Sequence, residues 1–235
     1  QMRLVLASIH TNTELVMSWT RQKGLHQLAN NSYAWLAPDG SWGWSNAGLI
    51  VDGEESLLVD TLYDLQLTRE MLTAMQAAEP VTGAINTLVN THANGDHCHG
   101  NELVCGAEII ASVASAAEMD ELPAEAMATL VQMAPEMGPM GDYFLHCFGQ
   151  FQFQGIKHTP PTRTFEGQLD MKVGDKPVHL IEVGPAHTRG DVLVHSPKDK
   201  SIFTGDILFI EGTPIMWEGP VGNWIKACHL IESLD

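Results

Sequence analysis

The segment that most constrains this chain is an apolar run, Ala84-Ile85-Asn86-Thr87-Leu88-Val89-Asn90, that passes straight into the polar string Thr91-His92-Ala93-Asn94-Gly95-Asp96-His97. The run has the length and content of a buried strand, and a polar, Gly-containing loop at the end of such a strand is where α/β folds place chemistry. His92, Asp96 and His97 put two imidazoles and a carboxylate on one short loop, a donor set that suits zinc, with iron or manganese as alternatives. A lone histidine on a loop is most simply a solvated side chain. Two further strand-end loops change the weighing, with His187 in Pro185-Ala186-His187-Thr188 and Asp206 in Thr204-Gly205-Asp206.

The rest of the chain reads as alternating strands and helices. Leu25 to Leu36 and Ser45 to Thr61 are expected as strands, broken by Pro38-Asp39-Gly40 and by a hairpin turn at Asp52-Gly53. Thr68 to Ala78 carries Met71, Leu72 and Met75 at helical spacing and stops before Pro80. A short strand is expected around Ile109-Ile110. The Ala-, Glu- and Met-rich stretch from Ser112 to Gly141 follows, its methionines being either ordinary core or an adaptable lid over an apolar substrate. Tyr143 to Arg163 reads as a connection to a second half. That half comprises strands at Arg163 to Val173 and Val178 to Val183, a hairpin of Val192 to His195 with Ser201 to Thr204, and a last helix from Gly222 to Leu234. The expected organisation is an N-terminal extension over 1–24 and one domain over 25–235.

Charge narrows the partners. Twelve Lys and Arg against 29 Asp and Glu leave a net charge of −17. The few bases are scattered, which argues against nucleic acid and against anionic membrane surfaces. No stretch reaches the roughly 18 apolar residues of a membrane span. The expected partner is a small molecule, and nothing in the sequence speaks to oligomeric state. Four scattered cysteines without a Cys-x-x-Cys pair read as free thiols in a reducing compartment. The cytoplasm is the expected location, with the periplasm or the outside as the alternative if a signal precedes Gln1.

The three ordered motifs resemble the metallo-β-lactamase superfamily, whose pattern is a His-x-His-x-Asp-His loop after a strand, a later single His before Thr-x-Gly, and a Thr-Gly-Asp. The resemblance implies an α/β (α+β) fold, a four-layer αββα sandwich with a metal site on one edge. It implies a first metal site of His92, the residue at 94, and His187, a second served by Asp96 and His97, and Asp206 between the two. One or two zinc ions are the implied cofactor. Asp60, closing Leu57-Leu58-Val59-Asp60, matches a family aspartate that braces the metal loop from behind the ligands. Two departures stand out. Asn94 occupies the place of the second motif His, and an amide oxygen is a weaker donor than imidazole. The family's last His follows the terminal helix, and this chain stops first, so the expectation is either a truncated C-terminus or a second site short of one ligand. His229 lies inside that helix and reads as structural.

The resemblance implies hydrolysis, with Asp96 and Asp206 as the catalytic carboxylates and a metal-activated water as nucleophile. The Met-rich stretch and the tryptophans of Ser41-Trp42-Gly43-Trp44 favour a small acyl substrate such as a lactone, ester or thioester. Trp42 and Trp44 are expected either as a substrate flap or as packing on the sheet. His99 is a second candidate for the pocket wall. Arg189, directly after His187-Thr188, is placed either to grip a substrate carboxylate or to pair with one of the many acids. β-Lactam hydrolysis, an iron-dependent oxygenase or redox protein of the same fold, and a non-catalytic metal-binding homologue are the alternatives.

Overall fold

The protein is described from a computed structural model, over residues 22–38, 41–210 and 212–234. Residues 1–21 of the expected extension lie outside the described residues. In chain order the elements are β1 (Gly24–Ala29), β2 (Ser32–Leu36), β3 (Ala47–Asp52), β4 (Glu55–Val59), α1 (Leu65–Ala78), β5 (Thr87–Val89), α2 (Gly95–Cys98), β6 (Glu108–Ser112), α3 (Val113–Glu118), α4 (Ala124–Met133), α5 (Pro139–Phe148), β7 (Arg163–Phe165), β8 (Gln168–Val173), β9 (Lys176–Glu182), β10 (Val192–Ser196), β11 (Ser201–Phe203) and α6 (Val221–Ser233).

Strands β1 to β7 form one sheet in sequential order, antiparallel from β1 to β4 and parallel from β4 to β7; β11-β10-β9-β8 form a second, antiparallel sheet. Side-chain alternation sorts the strand residues between layers. Leu57 and Val59 of β4 and Val192 and Val194 of β10 fill the space between the sheets, together with Phe203. Leu58 points the other way, to Met71 and Met75 of α1. Leu193 turns outward to Trp224, Ala227 and Ile231 of α6. The order is therefore helix, sheet, sheet, helix, the expected αββα sandwich. Among the described residues no helix is long and apolar enough to cross a membrane.

Local chemistry accounts for the element ends. Asp64 caps α1 by accepting from the backbone N–H of Leu67 at 2.8 Å. Asn30 and Asn31 turn β1 into β2 with positive φ, which asparagine tolerates better than most residues.

Three expectations are corrected. The strand read over Ala84 to Asn90 pairs only at Thr87–Val89. Tyr143 to Arg163 is not simply a connection, because its first turns complete α5, with Phe144 and Phe148 on one helical face. The single strand read over Arg163 to Val173 is two: β7 closes the first sheet, and after Gly167, at φ 70°, β8 opens the second. A β-rich run carries no local mark of which sheet each part will join.

Candidate metal centre

The ends of β4, β5 and β11 and the β9–β10 loop meet at one edge of the sandwich. Parallel pairing sets Val59 beside Val89, so Asp60 and Asn90-Thr91 leave the sheet side by side. The backbone N–H of Val192, at the start of β10, donates to the Thr91 carbonyl at 2.8 Å and ties the second sheet to the same edge. The Ser45 hydroxyl donates to the Asp96 carbonyl and holds the loop from the side of β3.

Asp60 is the hub behind this loop. It is buried and sits at φ 64°, a left-handed conformation costly for a side chain with Cβ. Its Oδ1 accepts the Thr91 backbone N–H at 2.7 Å, and its Oδ2 accepts the Thr91 hydroxyl at 2.7 Å and lies 2.8 Å from His97 Nδ1. A carboxylate accepts only, so His97 carries a proton on Nδ1. With its proton spent on Asp60, Thr91 Oγ1 can only accept from His92 Nδ1, 3.0 Å away. His187 Nδ1 lies 2.6 Å from the Ile215 carbonyl, which also only accepts. All three imidazoles thus donate outward through Nδ1 and turn Nε2 inward.

Inside, the three Nε2 atoms surround one carboxylate. His97 Nε2 is 3.2 Å and His92 Nε2 3.9 Å from Asp206 Oδ1, and His187 Nε2 is 3.5 Å from Asp206 Oδ2. The ligand atoms of His92, His187 and Asp206 all lie within 4.8 Å of one another. Asn94 Oδ1 is 2.8 Å from His187 Nε2, and Asp96 Oδ2 is 3.7 Å from His97 Nε2. The structure therefore gathers His92, Asn94, Asp96, His97, His187 and Asp206 in one place, with Asp60 behind them.

Burial and charge describe what this place accepts. His92 Nε2, His97 Nε2 and Asp206 Oδ1 are buried without a hydrogen-bond partner, a costly state for polar atoms that a coordinated cation relieves. The donor set of imidazoles and carboxylates fits zinc, iron or manganese. Burial, and then the neighbouring His97, push the His92 imidazole well below its ordinary range. Burial also opposes the charged form of His97, yet Asp60, Asp96 and Asp206 outweigh it and raise that imidazole. Burial works against ionised Asp206 as well, and the three surrounding imidazoles nonetheless hold its carboxyl below the usual carboxylate range. The Asp96 carboxyl is raised, chiefly by burial. The negative potential that favours a proton on His97 Nε2 also favours a divalent cation, which would displace that proton.

The centre opens on a cavity of about 270 Å³ whose lining includes Trp42, Trp44, Tyr63, Asn94, Asp96, His187, Asp206 and Trp217. Trp42 touches Trp217, with ring centroids 6.3 Å apart, whereas Trp44 packs on Phe151 at 5.3 Å. Each indole lines the cavity, and each also packs on other rings outside the strands.

His99 and Arg189 do not line this cavity. His99 stacks on Tyr63 at 5.4 Å and faces a separate cavity of about 10 Å³ beside Cys98 and His158, and burial lowers its imidazole to about 4. Arg189 pairs with acids: Nη1 and Nη2 donate to Glu121 at 2.5 and 3.1 Å, and Nε donates to Glu218 at 3.2 Å. His229 is exposed on α6 and pairs with Glu232. The methionines divide, Met119 and Met127 being buried while Met133, Met137 and Met140 are exposed; of these only Met127 lines the large cavity. Sequence reasoning did not find Thr91, the Ile215 carbonyl, Tyr63, Trp217 or the α5 aromatics. Only the i, i+4 spacing of Phe144 and Phe148 gave a local signal for any of them.

Comparison with known proteins agrees with this fold. The profile of the Metallo-beta-lactamase superfamily matches residues 40–235. Among solved structures, a metallo-beta-lactamase from Pontibacter korlensis superposes with a TM-score of 0.62 at 17% identity, covering 90% of this chain and 85% of that one. A metallo-beta-lactamase from Erythrobacter litoralis, with beta-mercaptoethanol in its active site, superposes with a TM-score of 0.58 at 19% identity, covering 89% and 82%. No curated protein matches by sequence.

Proposed function

The chain belongs to the metallo-beta-lactamase superfamily, mostly metal-dependent hydrolases, and from that membership we propose that it hydrolyses a small acyl substrate, a lactone, ester or thioester, with zinc at the centre. The observation that carries the reading is the convergence of three Nε2 atoms on the buried Asp206 carboxylate, each imidazole held from outside by its Nδ1 contact. His92, His187 and Asp206 would hold one ion, with the Asn94 amide as a weaker neighbour; Asp96 and His97 would serve a second. A metal ion in such a site supplies an activated water at neutral pH and polarises a carbonyl.

The chain's own residues do the rest. Asp60 and the Ile215 carbonyl keep the ligand imidazoles in one tautomer and orientation, so little reorganisation remains at the moment of reaction. Asp96 borders both the cluster and the cavity, which places its carboxylate to take a proton from the attacking water and return it to the departing alcohol or thiol. The aromatic cavity wall excludes water from the acyl group.

The test is metal analysis of the purified protein joined to a panel of aryl esters, lactones, thioesters and a β-lactam. Stoichiometric zinc with ester, lactone or thioester turnover, lost by at least about a hundredfold in His187→Ala, is expected. Stoichiometric iron with no hydrolysis would overturn the reading in favour of redox chemistry. A β-lactam turned over faster than every other substrate would overturn the choice of substrate.

A further inference from the structure

The cavity beside the metal centre has an uneven character. Away from the cluster its wall is aromatic and aliphatic, with Trp42, Trp44, Tyr63, Phe144, Phe148 and Trp217 contributed by separate segments of the chain. Its carboxylates and imidazole are Asp96, Asp206 and His187, all at the cluster end; the Tyr63 phenol is its other titratable group, and no lysine or arginine is among the described lining residues. Arg189 is the cation that sequence places two residues from His187, and its guanidinium is already taken by Glu121 and Glu218. Glu121 directly precedes Leu122 and Glu218 directly follows Trp217, and both of these neighbours line the cavity. Arg189 therefore fastens two parts of the wall and does not offer a charge to a ligand.

Charge and burial then select the ligand. A carboxylate on the far part of a substrate would leave water for a largely aromatic wall whose described residues offer no cation, an unfavourable desolvation. An uncharged aryl or branched-alkyl group in the same place buries apolar surface and stacks on indole and phenyl faces. A cavity of about 270 Å³ is of a size for one such group.

We propose that this cavity binds the uncharged aryl or branched-alkyl portion of an acyl substrate and discriminates against substrates that carry a carboxylate on that portion. The proposal rests on the hydrolase reading for the word substrate, but the recognition itself is a property of the cavity wall.

The test separates the two. Phenylacetamide and its para-carboxylate derivative, which differ by one ionised carboxyl group, are titrated against the purified protein by tryptophan fluorescence and calorimetry. The neutral amide is expected to bind at least about tenfold more tightly, and Trp42→Ala and Trp217→Ala are each expected to weaken it about fivefold or more. Leu130→Lys, which adds a cation to the wall, is expected to narrow or reverse the preference. Equal binding of the two amides, or a preference for the carboxylate, would overturn the proposal, as would full neutral-amide affinity in both tryptophan variants. The matched aryl esters are then offered to the metal-loaded enzyme. Selective binding without turnover of either ester would sustain the recognition and sink the hydrolase reading. Equal kcat/KM for both esters would sustain hydrolysis and overturn the recognition.

Discussion

Asp60 shows how much of the centre depends on a residue that need not touch the metal. Three donors, the Thr91 N–H, the Thr91 hydroxyl and His97 Nδ1, are absorbed by its two oxygens. The Thr91 hydroxyl is in turn what orients His92. An amide in this place has only one accepting oxygen and brings N–H donors of its own, so one of these contacts becomes donor against donor. Asp60→Asn is expected to weaken zinc affinity about 10- to 100-fold, read by competition with a chromophoric chelator. Unchanged affinity would mean that the imidazoles are oriented by packing alone. Asp60 was expected because its place at the end of Leu57-Leu58-Val59 matches a family aspartate. Thr91 was not, since a threonine beside a histidine has no distinguishing mark until both face the same carboxylate.

Among the elements, the two sheets meet at one point where a side chain is missing. Gly48 of β3 faces Phe203 of β11, and a Cβ built on Gly48 would lie 2.2 Å from Phe203 Cε1. Phe203 is fully buried among Ile50, Leu57 and Val194, so its ring has no empty space to enter. Gly48→Ala is expected to destabilise the fold by about 1–3 kcal/mol, measured by denaturant unfolding, with part of the loss recovered by adding Phe203→Leu. A neutral Gly48→Ala would show that the sheets can slide apart at little cost. Because Phe203 directly precedes Thr204-Gly205-Asp206, the same contact also sets the strand that delivers Asp206. Strands β3, β4 and β10 were readable because each is a short apolar run bounded by turn residues. The division of Arg163 to Val173 into β7 and β8 was not, because the whole stretch reads as strand and only the second sheet gives β8 a partner.

At the scale of the whole molecule, a buried ion pair fastens the layers on the side of β1 and β2. Lys176 Nζ lies 2.9 Å from Asp199 Oδ2, both side chains being almost wholly buried, and that oxygen also receives the hydroxyls of Ser32 from the first sheet and Ser196 from the second. Lys176 donates as well to the Asn30 carbonyl in the β1–β2 turn. Removing the cation leaves a buried carboxylate with hydroxyl partners only, so Lys176→Met is expected to cost about 3–5 kcal/mol, seen as a lowered urea midpoint. A loss under about 1 kcal/mol would show that water reaches Asp199. By itself the sequence determined most of the order of strands and helices and the His/Asp loops at strand ends, because helical spacing, turn residues and motif spacing are written within a few residues of each other. Tertiary structure alone decided which loops share an edge, which sheet receives β8, that Arg189 is spent on Glu121 and Glu218, that His99 faces away from the large cavity, and that its wall is aromatic. Those contacts join residues tens to more than a hundred positions apart, and only the stacking of the four layers brings them within reach.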